Sequence, residues 1–223
     1  MRFFNTFLLL VLILLNGNAF AGVVTITDED FEGGASGWSN NSTDNTYPGS
    51  FTEFLGRFGA GTSEPVEKTF PINSTVSTVT ISFDFYEIDS WDFELFNVYV
   101  NGELISSHDF KHNIDDVPRH GLPRILPGDI DGNQNIGFNA TWPDQGYHYE
   151  FEMNMSTDLL TLGFETTIGS SLTDESYGID NVVITQEIPD SVPVPFTPMT
   201  WILLVLALAT MGTFALKRRV LAS

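Results

Sequence analysis

The sequence predicts an all-β protein, an antiparallel β-sandwich of jelly-roll type, followed by one C-terminal transmembrane helix. Three observations carry this. Apolar and polar residues alternate with period two through much of residues 22–187. Asn101-Gly102 stands between two β-rich runs, the strongest short hairpin signal. Residues 199–216 carry no charge and end at Lys217, Arg218 and Arg219.

The strands follow from the alternation. His148 to Met155 places Tyr149, Phe151, Met153 and Met155 on one face, and Thr80 to Tyr86 does the same with Ile81, Phe83 and Phe85. Asn97 to Ile105 forms the hairpin around Asn101-Gly102. Further strands are expected at 23–27, 51–58, 66–72, 136–140, 159–167 and 177–184. Some ten strands separated by Gly, Asn, Asp and Pro clusters argue for a sandwich rather than a helical or α/β fold. The longest loop, about 111–135, is of a length that usually serves a function.

The two ends read as addresses. Residues 1–21 combine Arg2, an apolar run from Phe7 to Leu15 and the Ala19-Phe20-Ala21 cleavage pattern of a secretory signal peptide. Residues 188–198 are a Pro-rich linker. The uncharged run at 199–216, about 27 Å long as a helix, falls a little under the ~30 Å hydrocarbon core of a bilayer. Trp201 marks one interface, and the basic tail 217–223 is expected in the cytoplasm. The domain at 22–187 is then exported and held at the cell envelope, with release after C-terminal processing as the alternative.

All 29 acidic residues lie between Asp28 and Asp190, against five basic ones, so the exported part has a net charge of −24. Such a field repels nucleic acid and anionic membrane surfaces, and favours cations or neutral polar ligands. There is no cysteine, which removes thiol chemistry and disulfides.

The stretch "YEIDSWDFELFNVYVNGE", 86–103, holds four carboxylates around Trp91. Its Glu-Ile-Asp core resembles the active-site strand of family-16 glycoside hydrolases. That resemblance would make Glu87 the nucleophile, but a glutamate is missing two or three residues after Asp89, where Trp91 and Asp92 stand. The stretch reads equally as a cation loop, with Asp89, Asp92 and Glu94 as oxygen donors, or as a solvated loop in which Glu87 and Asp89 mark where the strand leaves the core. Aromatic candidates for stacking a sugar are Trp91, Trp142 and Tyr147.

"DEDFEGGASGW" (28–38) and "DESYGIDNVVIT" (174–185) together resemble the first and last strands of galactose-binding-like and carbohydrate-binding-module jelly rolls. The resemblance implies that these strands lie side by side, bridged by a structural calcium. Glu32 and Asp180 would be side-chain ligands and Asp30 would give its backbone carbonyl. "GDIDGNQN" (128–135) resembles the front half of an EF-hand loop but lacks the closing glutamate, since Ala140 is its twelfth residue. His108, His112 and His120 have no zinc-site context on a strand-and-loop segment.

Val192-Pro193-Val194-Pro195, the apolar run and Lys217-Arg218-Arg219 resemble the tripartite sorting signals of the PEP-CTERM and IPTL-CTERM type. That resemblance implies an exosortase-type membrane peptidase as partner. The expected function is an exported, non-catalytic surface or matrix protein with a calcium-stabilised domain. The alternatives are a carbohydrate-binding module, which adds polysaccharide as a partner, and a divergent family-16-like hydrolase.

Overall fold

The computed structural model describes residues 22–46, 52–60, 64–73, 78–112, 119–125, 141–142 and 144–188. The expected signal peptide, the EF-hand-like segment, the strand at 136–140, the sorting motif at Val192–Pro195 and the apolar run with Trp201 and its basic tail lie outside these residues. Among the described residues no helix is long and apolar enough to cross a membrane.

Ten strands are described: β1 (Gly22–Glu29), β2 (Thr43–Asp44), β3 (Phe54–Phe58), β4 (Val66–Pro71), β5 (Thr78–Asp89), β6 (Asp92–Val100), β7 (Glu103–Lys111), β8 (Gln145–Asn154), β9 (Leu159–Thr166) and β10 (Glu175–Ile188). They form a six-stranded sheet in the order β2-β3-β10-β5-β8, with β1 also on β10, and a four-stranded sheet in the order β4-β9-β6-β7. All pairings are antiparallel, as the alternating patterns require. The expected hairpin is the β6–β7 turn, where Asn101 (φ 53) and Gly102 (φ 78) supply the two left-handed residues of a tight turn.

The inner faces meet through aromatic rings. Phe83 and Phe85 of β5 pack on Phe96 of β6 and Phe164 of β9, with Phe85 and Phe96 stacked at 4.0 Å between centroids. Tyr149 and Tyr177 complete this layer beside Phe96. At the other end Trp38 enters the core between Phe31, Phe70 and Phe164. Its Nε1–H donates to Glu29 Oε2 at 2.8 Å, and Lys68 Nζ binds Glu29 Oε1 at 2.6 Å. The Gly-Trp segment after β1 is therefore a plug over the core, fixed by one carboxylate that serves both an indole and an ammonium.

β10 is the hub of the larger sheet. One edge pairs with β5 along most of its length. Its other edge pairs with β3 at Tyr177–Ile179 and then with β1 at Val182–Ile188. Between these two partners lie Asp180 and Asn181, where Asn181 takes φ 50 and the β5 register also shifts. A bulge at that point turns the strand from one partner to the next.

Candidate functional site

Asp180 stands in the gap between β3 and β1, and Glu32 follows the end of β1. The structure brings both to the short segment that leads into β3. Glu53 N–H donates to Glu32 Oε1 at 2.8 Å, and Thr52 Oγ1 donates to Asp180 Oδ2 at 3.2 Å. Tyr86 Oη also donates to Asp180 Oδ2, and Asn181 N–H donates to Oδ1. Burial of Asp180 outweighs these donors and pushes its carboxyl up to about 6, with nearby Asp84 adding to the rise. Asp30 lies just past β1, exposed, with Oδ1 accepting the Glu32 N–H.

Asp180, Asp84 and His148 form one rung across β10, β5 and β8. Asp84 Oδ1 meets His148 Nδ1 at 2.7 Å, and Asp84 Oδ2 accepts from Asn181 Nδ2 at 2.8 Å. The sequence does not single out this rung. Its members are 32 or more residues apart, so only the register joins them. Among the described residues no three His, Asp or Glu side chains converge as a metal cluster. A cation at Glu32 and Asp180 would draw its other oxygens from backbone carbonyls and water, which is the habit of calcium rather than of zinc.

The Glu87–Glu94 stretch differs from its expected form. Glu87 and Asp89 do not leave the core: both are 0% exposed. The alternation that turns Phe83 and Phe85 inward carries on through β5 and takes Glu87 and Asp89 to the same inner face. Across the sheet Glu87 faces Gln145, and Asp89 faces Glu175. Tyr147 Oη donates to both Gln145 Oε1 and Glu87 Oε2, while Asp89 N–H donates to Asp144 Oδ1. Gln145 Nε2 and Glu175 Oε2 are buried without a hydrogen-bond partner among the described residues. Burial, followed by the charges of Glu94, Asp174 and Asp92, pushes the Glu175 carboxyl up to about 7.

The aromatic expectations are corrected in the same way. Trp91 is wholly buried, its Nε1–H donating to Ser176 O at 2.9 Å, and Tyr147 is wholly buried against Phe110. Neither offers a face to a ligand, because each fills the core end that the β5–β6 corner closes. Trp142 is half-buried, edge-on to His112 at 4.5 Å between centroids. Asp92 is exposed and Glu94 half-exposed, and Glu94 Oε2 accepts the Asp92 N–H. His108 and His120 stack at 4.4 Å, with His108 Nδ1 on Tyr149 Oη and His120 Nε2 on Asp109 O, and burial lowers the His108 pKa. His112 instead holds Trp91 O, so the three histidines do not share a centre.

No family model matches the chain, and no curated protein matches it. Among solved structures it is similar to dimeric latent PorU from Porphyromonas gingivalis, at 11% identity and a TM-score of 0.41 over 75% of this chain. The chain spans only 13% of that protein's length. It is also similar to a carbohydrate-binding module of Cellvibrio mixtus lichenase 5A, in complex with cellotriose, at 12% identity and a TM-score of 0.37, covering 74% of this chain and 99% of that one. A family 35 carbohydrate-binding module from Clostridium thermocellum gives 12% identity and a TM-score of 0.36, covering 74% and 98%. At these scores none of the three assigns a function to this chain.

Proposed function

We propose that the chain is an exported, non-catalytic polysaccharide-binding module, held at the cell envelope by its C-terminal run and sorted there by an exosortase-type peptidase. A calcium ion between Glu32 and Asp180 locks its fold. The observation that carries the reading is the burial of Glu87 and Asp89. A glycosidase needs its carboxyl pair open to the glycosidic bond, and these two face Gln145 and Glu175 inside the sandwich. The surface supports binding instead. Its carboxylates accept hydrogen bonds from sugar hydroxyls, its net charge of −24 disfavours anionic ligands, and Trp142 keeps part of its ring in solvent.

The test is retention of the full chain on a panel of immobilised neutral polysaccharides, with calcium present. Retention on at least one supports the reading, and no retention on any sinks it. Release of reducing sugar during the same incubation would overturn the non-catalytic part.

A further inference from the structure

The β5–β6 corner is built to turn one aromatic ring inward and the next one outward. Asp89 takes φ 69, and two residues later Trp91 is sealed in the core. Four hydrogen bonds hold Trp91 there: its N–H to Asp89 O at 3.1 Å, its Nε1–H to Ser176 O, and its carbonyl accepting from His112 N–H at 2.9 Å and from His112 Nδ1 at 2.7 Å. The β6–β7 register then slips between Asp92 and Glu94, and Phe93, the extra residue of that bulge, takes φ 80. Phe93 is 55% exposed.

A left-handed backbone at a bulky L-residue is strained, and glycine or asparagine would occupy it at lower cost. An apolar ring left in water gains nothing from burial. Strain that the surroundings enforce concentrates at functional positions, and bulges re-aim side chains there. Asp92, its side chain 66% exposed, and half-exposed Glu94 flank Phe93 in the chain, both hydrogen-bond acceptors. Lys111 Nζ, a donor, lies over the ring at 4.7 Å from its centroid, in a cation–π contact. An exposed aromatic residue with two acceptors beside it in the chain and one donor at its ring matches a pyranose, which offers a C–H face and a rim of hydroxyls. The carboxylates of Asp92 and Glu94 repel a sulfated or uronate sugar from this corner.

Resting on the polysaccharide-binding reading, we propose that Phe93 is the stacking platform of this module. Its ligand is a neutral pyranose unit, gripped at its rim by Asp92, Glu94 and Lys111.

The experiment compares the full chain with Phe93→Ala, Phe93→Tyr and Phe93→Gly on the same panel of neutral polysaccharides, together with heparin and a polyuronate, and measures thermal midpoints alongside. The expected result is retention of the unmodified chain on a neutral polymer, weakened roughly tenfold in Phe93→Ala and kept in Phe93→Tyr. Phe93→Gly should lose retention while its midpoint rises or stays level, because the left-handed position suits glycine. A merely structural role would lower that midpoint, and such a drop overturns the proposal. Equal retention of Phe93→Ala overturns the platform and leaves the module reading standing. Preference for heparin or the polyuronate overturns the ligand class. No retention of the unmodified chain on any polymer overturns the module reading and the platform with it.

Discussion

Glu175→Gln isolates the electrostatic cost of the acidic corner. The substitution keeps the shape of a side chain that is 6% exposed and removes its charge. In the folded domain the Glu175 carboxyl is pushed from 4.5 up to about 7, first by burial and then by Glu94, Asp174 and Asp92. Each tenfold change in proton affinity is worth about 1.4 kcal/mol, so this rise amounts to roughly 3 kcal/mol as an upper bound. Solvent at this end of the sandwich screens the neighbouring charges, which brings the working range to about 1–3 kcal/mol. The sign follows from linkage. Glu175 holds its proton more tightly folded than unfolded, so its stability contribution is fully present below about pH 4.5 and is lost as pH rises through about 7. Glutamine carries no such slope. The variant should match the parent near pH 4.5 and exceed it above about pH 7.5, by a few to about ten degrees in thermal midpoint for a domain of this size. Unfolding of both full chains is followed by intrinsic fluorescence across that pH range. A difference that stays constant with pH, or that shrinks as pH rises, would refute the reasoning.

Three further outcomes follow. Gly178→Ala places a Cβ 2.4 Å from the Phe54 ring, so that buried ring must be displaced and the urea midpoint should fall by the equivalent of about 1–3 kcal/mol, with Gly178→Ser falling at least as far. Trp91→Phe removes the donor to Ser176 O and leaves a void, and should cost about 2–4 kcal/mol in the same assay; a loss under about 1 kcal/mol would mean that the corner is not locked as described. Calcium at about a thousandfold over its Kd should add about 4 kcal/mol to the full chain against an EDTA control. Asp180→Asn should abolish that increment, and an unchanged calcium response in that variant would move the ion elsewhere.

The period-two pattern made most strands legible, because an antiparallel sheet with one face on the core imposes that pattern on each strand. Tyr149, Phe151, Met153 and Met155 are buried or half-buried as the pattern requires. β2 escaped, since two residues carry no periodicity. The fate of Glu87 and Asp89 was also written in the alternation from Phe83 onward, but carboxylates at the inner positions read as a strand leaving the core. They remain inside because Gln145, Tyr147 and Asp144 receive them there, and those partners lie more than fifty residues away. The two end motifs singled out Glu32 and Asp180, but nothing in them pointed to the segment at Thr52 and Glu53 to which each is hydrogen-bonded. Phe93 was illegible because its bulge runs against the backbone preference of its own residue type, and the pattern of aromatics favours the neighbouring Trp91 instead.

The position of β10 fixes when this domain can fold. It is made after every other described strand, yet it lies between β5 on one side and β3 and β1 on the other. Until Glu175–Ile188 has been synthesised, β1 has no strand to pair with, and β3 has only the two residues of β2. The larger sheet therefore cannot grow vectorially from the N-terminus. Its assembly waits for the end of the domain and is dominated by contacts distant in sequence, which makes it slow. A nascent chain of this kind can pair β6 with β7 and β5 with β8 early, but it leaves β1 and β3 without β10 through nearly its whole synthesis, a state exposed to proteolysis.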